Sequence, residues 1–231
     1  MSIAEEQPKP YEWMTYALRA MKAEDVSVVG EIDREAFPTT WPPTPLLREL
    51  KNSIARYLVA YDQREKGEIS LTQSFASPEV PEPLLWRLAR GLLWRLKTNC
   101  PVRVPYKTLL GFVGIWFLSD EAHITSIATR TNFRGQGIGE LLLIGAIELA
   151  LERGSQSITL EVRVSNMVAQ SLYEKYNFVE TGIRKRYYVD NHEDARIMAI
   201  DSIHTTSYNS HFRGLVKAHQ LRWGYTTRDL N

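Results

Sequence analysis

The stretch NFRGQGIGELLLIGAIELALERG, residues 132–154, constrains this chain more than any other. Glycines stand at 135, 137 and 139, Arg134 precedes them, and an apolar helical pattern follows at once. Just before it, AHITSIATR (122–130) alternates as a strand does. A strand, a glycine turn and a helix leave the helix's first backbone N–H groups without intrahelical partners, at the positive end of its dipole. With no β-carbons in the way, an anion's oxygens can reach those donors, and phosphate is the usual occupant. A Walker loop ends in Gly-Lys-Ser/Thr, which GIGELLL lacks. The dinucleotide fingerprint G-x-G-x-x-G opens a parallel unit near the start of a domain. Here the spacing is G-x-G-x-G, past the midpoint of the chain and after two antiparallel-looking strands. There remain the pattern Arg/Gln-x-x-Gly-x-Gly/Ala, met by Arg134, Gly137 and Gly139, and the plainer alternative of a turn that only packs strand against helix.

Around this turn the patterns predict a mixed α/β chain. A strand at 14–21 is followed by a helix at 24–37, with Val29, Ile32 and Ala36 on one face. The prolines of PTTWPPTP (38–45) end that helix; LLRELKN is a short second helix and 56–62 a second strand. Strands follow at 109–120, 122–130 and 157–164, then a helix at 166–176 and two closing strands, FVETGIRKRYYV and ARIMAID. In the helix after the glycine turn, Glu140, Glu148 and Glu152 form the sole polar stripe, which predicts a helix lying mostly buried across a sheet.

Two segments stand outside this pattern. Residues from about 63 to 107 read as an insertion, loop-like except for LLWRLARGLLWRLK (84–97). That segment puts leucines and Trp86 on one arc and Arg87, Arg90, Arg95 and Lys97 on the other. Such a basic amphipathic helix suits a flap on its own domain, a partner-docking element or a membrane-surface contact. The tail, 201–231, is basic and aromatic with weak helical periodicity, and nothing in it indicates a role.

Composition sets few further limits. The formal net charge is +1, which gives no electrostatic argument for nucleic acid. A single cysteine, Cys100, precludes an internal disulfide and suits a reducing cytosol. The start MSIAEEQPKPYEW is unlike a secretory signal, and no apolar run reaches the roughly 18–20 residues of a spanning helix. A cytoplasmic protein without a metal site is expected.

Five co-linear blocks carry a resemblance: FPTTW, LEVRVSN, LYEKYNF, RKRYY and EDARIM. They are similar to the FPxPW-like loop, LEVRxSN, LYxxxGF, R-x-x-YY and EDAxxM blocks of bacterial ribosomal-protein alanine N-acetyltransferases, a branch of the GNAT superfamily. The resemblance covers roughly 14–62 and 108–200. It implies a GNAT fold over residues 1–200, a central, mixed but mostly antiparallel sheet of about seven strands flanked by helices, interrupted by the insertion and followed by a C-terminal extension. It implies acetyl-CoA as co-substrate, its pyrophosphate on the main chain of Arg134, Gly135, Gln136, Gly137, Ile138 and Gly139. A splayed strand polarises the thioester through a backbone N–H in this superfamily, which points to Ile127 or Ala128.

Further roles come with the resemblance. Glu161 matches the general base, acting directly or through a water; as a strand glutamate it could instead pair with Arg163. Tyr173 matches the residue that protonates the departing thiolate, although its helical setting also fits a core aromatic. Asn166 matches a coenzyme contact and equally an N-cap. Phe37, Trp41, Tyr187 and Tyr188 resemble the substrate-side walls. The implied reaction is direct acetyl transfer, in a ternary complex, to a protein N-terminal α-amine, with a ribosomal-protein alanine as the branch's acceptor. An α-amine titrates near 7.7–8.0 against about 10.4 for lysine, roughly 3.5 kcal/mol less deprotonation work at neutral pH, so a single carboxylate suits it better. A lysine or small-molecule amine as acceptor, or a catalytically silent coenzyme A module, are the alternatives. Thr40 and Asn177 depart from the branch pattern; asparagine is the next-best residue after glycine for a left-handed helix end.

Overall fold

The computed structural model describes residues 14–38, 44–63 and 108–230, together with the backbone of 67–68 and 105–106. Trp41, Thr40, Cys100 and the helix expected at 84–97 lie outside the described residues. The chain divides into two compact units, residues 1–64 with 109–231 and residues 65–108. In the second, the described part is a short antiparallel pair, β3 (Gly67–Glu68) with β4 (Pro105–Tyr106).

In the first unit, alternating apolar residues pair into one eight-stranded sheet. Its strands are β1 (Tyr16–Ala20), β2 (Ala55–Asp62), β5 (Leu109–Leu118), β6 (Glu121–Thr129), β7 (Ser157–Arg163), β8 (Val179–Arg184), β9 (Ala195–Ile200) and β10 (Arg228–Asp229). Their spatial order is β10-β1-β2-β5-β6-β7-β9-β8. The β10–β1 and β6–β7 contacts are parallel and the rest antiparallel. Seven of these strands are those expected from the sequence; the eighth, β10, comes from the tail.

Each face of the sheet has its own core. On one side, α1 (Val26–Ala36) and α2 (Leu46–Glu49) bring Val29, Ile32 and Leu46 onto Tyr57, Val59 and Phe112. On the other, α3 (Ile138–Glu152), α4 (Met167–Lys175) and α5 (Thr206–Trp223) cover Leu58, Val113, Leu160 and Met198. The two cores draw on alternate residues of β2, as the period of a strand requires.

Two expectations need correction. The strand expected to run to Val189 stops at Arg184. Arg186 takes a φ of +54°, and the turn is pinned because Lys185 Nζ (2.7 Å) and the Arg186 N–H (2.8 Å) both donate to Asp194. The α3 helix lies mostly buried, as its narrow polar stripe predicts, with Glu152 exposed and the other two glutamates bonded. Glu140 accepts from Lys175 Nζ at 2.6 Å and from the Tyr176 hydroxyl at 2.8 Å, while Glu148 accepts from Arg228 Nε at 2.7 Å. Finally, the weakly periodic tail forms the 18-residue α5, capped by Thr205 and burying Tyr208, Phe212 and His219. Phe212 meets the Tyr176 ring edge-on at 6.3 Å. Asn177, at φ +66°, ends α4 in the left-handed conformation that the sequence suggested.

Candidate active site

A β-bulge opens the site. The register of β5 on β6 shifts so that Thr125 has no partner: Gly114 faces Ser126 while Ile115 faces Ile124. The extra residue turns β6 over. Ala122 and Ile124 join the α3-side core, whereas Ala128 joins the α1-side core. Gly114 permits this close packing, because a β-carbon there would sit 2.6 Å from the Tyr57 ring and 2.9 Å from Thr125 Oγ1. Bulges bend the strand that carries them, and the parallel pairing of β6 with β7 ends here, at Ile124 opposite Leu160. Beyond that step the facing edges of the two strands part.

The edge of β6 presents a particular donor to this gap. The Arg130 N–H donates to the Leu110 carbonyl at 2.8 Å, and Ala128 lies opposite Phe112. Amides alternate along a strand. The Ala128 N–H is therefore directed at β5 and the Ile127 N–H at the gap. Of the two residues the sequence leaves open, Ile127 is the one whose N–H turns to the gap.

The glycine turn lies at the same end of β6. Thr131–Phe133 form a short 3-10 turn, Arg134 is extended (φ −66°, ψ 153°), and Gly135 and Gly137 take φ of +75° and +79°. Gly137 is the N-cap of α3, and no side chain caps the helix. Among the described residues no group accepts from the amides of Ile138 and Gly139. A β-carbon at Gly135 would meet nothing within 4 Å, so the outer side of the turn is open. The Ile138 side chain is core, leaving only its backbone for a ligand. The Arg134 side chain folds back, Nε 3.4 Å from the Thr129 carbonyl. Gln136 donates to the Asn132 carbonyl at 3.3 Å and accepts from the Tyr16 hydroxyl at 2.6 Å. Such a cradle fits a diphosphate: main-chain donors, a helix start and room above them.

Glu161 stands one residue past the last β6–β7 pair. The burial of β7 alternates as the sequence suggested, with Ile158, Leu160 and Val162 on the α3 side and Thr159, Glu161 and Arg163 on the other. Its side chain is 7% exposed, with Oε1 3.0 Å from Arg184 and Oε2 3.2 Å from His123 Nε2. The bond to His123, and the charges of His123 and Arg184, hold the carboxyl below its ordinary value in spite of burial. Arg163, the partner considered from sequence, instead binds Asp190 at 3.0 Å and Glu193 at 3.1 Å.

Sequence reasoning missed His123, Arg184 and the residues behind them. His123 Nδ1 is 2.8 Å from Thr159 Oγ1, and the Thr159 hydroxyl donates to Glu121. A hydroxyl with its proton committed can only accept, so Nδ1 carries a proton and Nε2 faces Glu161. His123 Nε2 and Glu161 Oε2 stand 3.2 Å apart, so the two side chains face each other directly. No sequence pattern shows this, because His123 meets Thr159 through parallel register across two strands.

Of the aromatic residues singled out from the sequence, Tyr187 and Tyr188 adjoin each other near Glu161, whereas Tyr173 and Phe37 pack into different cores. Tyr173 is 5% exposed, its ring 5.8 Å from Phe178, and its hydroxyl makes no hydrogen bond among the described residues. Burial pushes its titration well above the ordinary tyrosine value, with Tyr188 adding to the effect. Tyr187 and Tyr188 meet edge-on at 5.2 Å, Arg184 lies over the first and Arg163 over the second. Burial, with a contribution from the Glu161 charge, raises both, Tyr188 to about 12. Asn166 caps α4 by accepting the Ala169 N–H at 3.2 Å through its side-chain oxygen. Phe37 packs at the end of α1 against the α1-side core. Among the described residues no group of three or more His, Cys, Asp or Glu is placed to hold a metal. Nor is any described helix long and apolar enough to cross a membrane.

The geometry is thus a parted strand pair, an open amide cradle and a buried carboxylate. Residues 26–178 match the family model described as Acetyltransferase (GNAT) family, and the chain belongs to that family of N-acetyltransferases, whose co-substrate is acetyl-CoA. A putative ribosomal protein bS18-alanine N-acetyltransferase of Bacillus subtilis (strain 168) is 34% identical over 183 residues, covering 79% of this chain and 93% of the relative. An N-alpha-acetyltransferase of Sulfolobus acidocaldarius is 42% identical over 200 residues, covering 86% and 98%. Among solved structures, the ribosomal-protein-S18-alanine N-acetyltransferase from Escherichia coli superposes with a TM-score of 0.56 at 22% identity, over 83% of this chain and 97% of that one. That likeness concerns the fold.

Proposed function

We propose that the protein transfers the acetyl group of acetyl-CoA directly to the N-terminal α-amine of a protein, with both substrates bound. The observation that carries the reading is Glu161, buried and held ionised where β6 and β7 part, on the strand facing the Ile127 amide. The amides of residues 135–139 bind the pyrophosphate, and Asn166, whose side-chain nitrogen is not used by its capping bond, adds a contact. The amine nitrogen bonds to the thioester carbonyl carbon while the Ile127 N–H holds the carbonyl oxygen. The amine's proton passes to the Glu161–His123 pair. As the carbon–sulfur bond breaks, the Tyr173 hydroxyl, which burial keeps protonated, faces the departing sulfur. Phe37, Trp41, Tyr187 and Tyr188 wall the acceptor side, and Arg184 fixes Glu161 from below.

The acceptor assignment rests on the amine chemistry and on relatives named for N-terminal acetylation, of bS18 alanine in one case and α-amines generally in the other. The first substrate to test is a peptide with the N-terminal alanine of a ribosomal protein. Incubated with acetyl-CoA and the full chain, it gains one acetyl group, located at the α-amine by fragmentation mass spectrometry. Transfer confined to an internal lysine of the same peptide removes the N-terminal reading. Coenzyme A binding with no thiol release on any amine makes the protein a silent module.

A further inference from the structure

We propose that the C-terminal segment is a working part of the coenzyme site: His219 and Trp223 hold Gly137 in place and so aim the amides that take the pyrophosphate. This deepens the reading of the glycine turn and rests on it.

Two residues of the tail reach that turn directly, and a third reaches it through Tyr16. His219, 3% exposed on α5, has its Nε2 3.1 Å from the Gly137 carbonyl. A carbonyl only accepts, so Nε2 carries the proton; burial lowers the titration of the ring, which keeps it neutral. The same carbonyl accepts the Leu141 N–H at 2.9 Å, the first bond of α3. His219 therefore grips the residue at which the helix begins. The Trp223 indole occupies the space a β-carbon at Gly137 would need, at 2.7 Å from Nε1 and 2.8 Å from two ring carbons. Next to Gly137, Gln136 is held by the Tyr16 hydroxyl, and the Tyr16 carbonyl in turn accepts from Thr226 on the tail.

Plain packing does not account for these groups. A leucine at 219 would fill the core as well, whereas a buried imidazole costs stability unless its polar atoms are satisfied. The atom that satisfies this one belongs to the residue that sets the direction of the cradle. Two glycines at positive φ, with no side-chain cap, make a turn free to move. Donors that are fixed beforehand bind an anion more tightly than donors ordered by it. His219 and Trp223 supply that restraint from behind, leaving the open side to the ligand.

The test compares full-length variants by coenzyme A calorimetry and steady-state kinetics. His219→Leu and Trp223→Ala raise the Kd for coenzyme A and the KM for acetyl-CoA together, about three- to tenfold, the size of one lost hydrogen bond. The kcat at saturation and the KM for the acceptor stay within about twofold. His219→Gln, which keeps a donor, restores most of the affinity. His211→Leu is the control: on the same helix, its Nε2 lies 3.2 Å from the Lys175 carbonyl, away from the turn, and coenzyme A binding is unchanged. If His219→Leu is not recovered folded, Trp223→Ala against His211→Leu decides alone. Wild-type affinity in the two variants, or an equal loss in His211→Leu, overturns the proposal and leaves the site assignment standing. A wild-type chain that does not bind coenzyme A overturns both.

Discussion

The two sides of the strand gap are built on opposite principles. On one side the proposed binding groups are main-chain amides, placed by a turn of a few residues. On the other they are side chains from β6, β7 and β8, locked to one another: His123, Glu161 and Arg184, with Thr159 and Glu121 behind. The first side depends on backbone conformation, with side chains acting on it only from behind. The second depends on chemistry and tolerates almost no exchange. Binding and reaction should therefore separate under mutation.

The largest effect is expected from Glu161→Gln. The change keeps shape but removes the charge, leaving Arg184 and His123 without their anion. Turnover should fall by on the order of 10²–10⁴-fold, while the Kd for coenzyme A stays at the wild-type value by calorimetry. His123→Ala should lose about 10²-fold through the same proton route. A parallel loss of coenzyme affinity in either variant would mean that the two sides are one unit.

How far each side can be read from the sequence follows from the same difference. The glycine turn is local: Gly135 and Gly137 announce left-handed backbone, Gly139 leaves the helix start clear, and the strand and helix around them are periodic. Glu161 is legible as an alternating strand residue, but its role came from the resemblance and not from its spacing. His123 and Arg184 could not be found, since each needs the register between strands. The same holds for the bulge at Thr125, which decides that Ile127 and not Ala128 turns its amide to the gap. The tail hid its role for another reason. Its buried face carries Tyr208, Phe212 and His219 against two different helices, so no single apolar stripe marks it.

The next effect sharpens the backbone side. Gly135→Ala and Gly137→Ala both force a side chain into positive φ, a strain of about 1–2 kcal/mol. At 135 the new methyl enters open space; at 137 it strikes the Trp223 ring. Both should weaken coenzyme A binding, Gly135→Ala by about tenfold, which is 1.4 kcal/mol. Gly137→Ala should lose more, and melt several degrees lower as well, because the tail is displaced with it. A valine at 137 would likewise test the tail together with the turn. Equal melting temperatures for the two alanine variants would show that Trp223 adjusts freely.

The smallest effect tests the loop that carries Tyr187 and Tyr188 on the reactive side. Glu193 accepts the Ser165 N–H at 2.7 Å and binds Arg163, whose guanidinium covers the Tyr188 ring. The bonds from Ser165 lead in lowering its titration from the ordinary 4.5 to about 2, with Arg163 adding to them. A carboxylate lowered in the folded state stabilises the fold above its unfolded value, and that contribution disappears as pH falls through the folded one. At pH 7, Glu193→Gln should melt about 2–4 °C below wild type, since an ion pair that solvent still reaches is worth about 1 kcal/mol. The difference should hold down to about pH 4.5, narrow below it and close near pH 2. With the bracket loosened, the KM for the acceptor should rise while that for acetyl-CoA does not, because Tyr188 belongs to one side of the gap and the cradle to the other. A melting difference that persists unchanged at pH 2 would assign Glu193 a role in packing and not in charge.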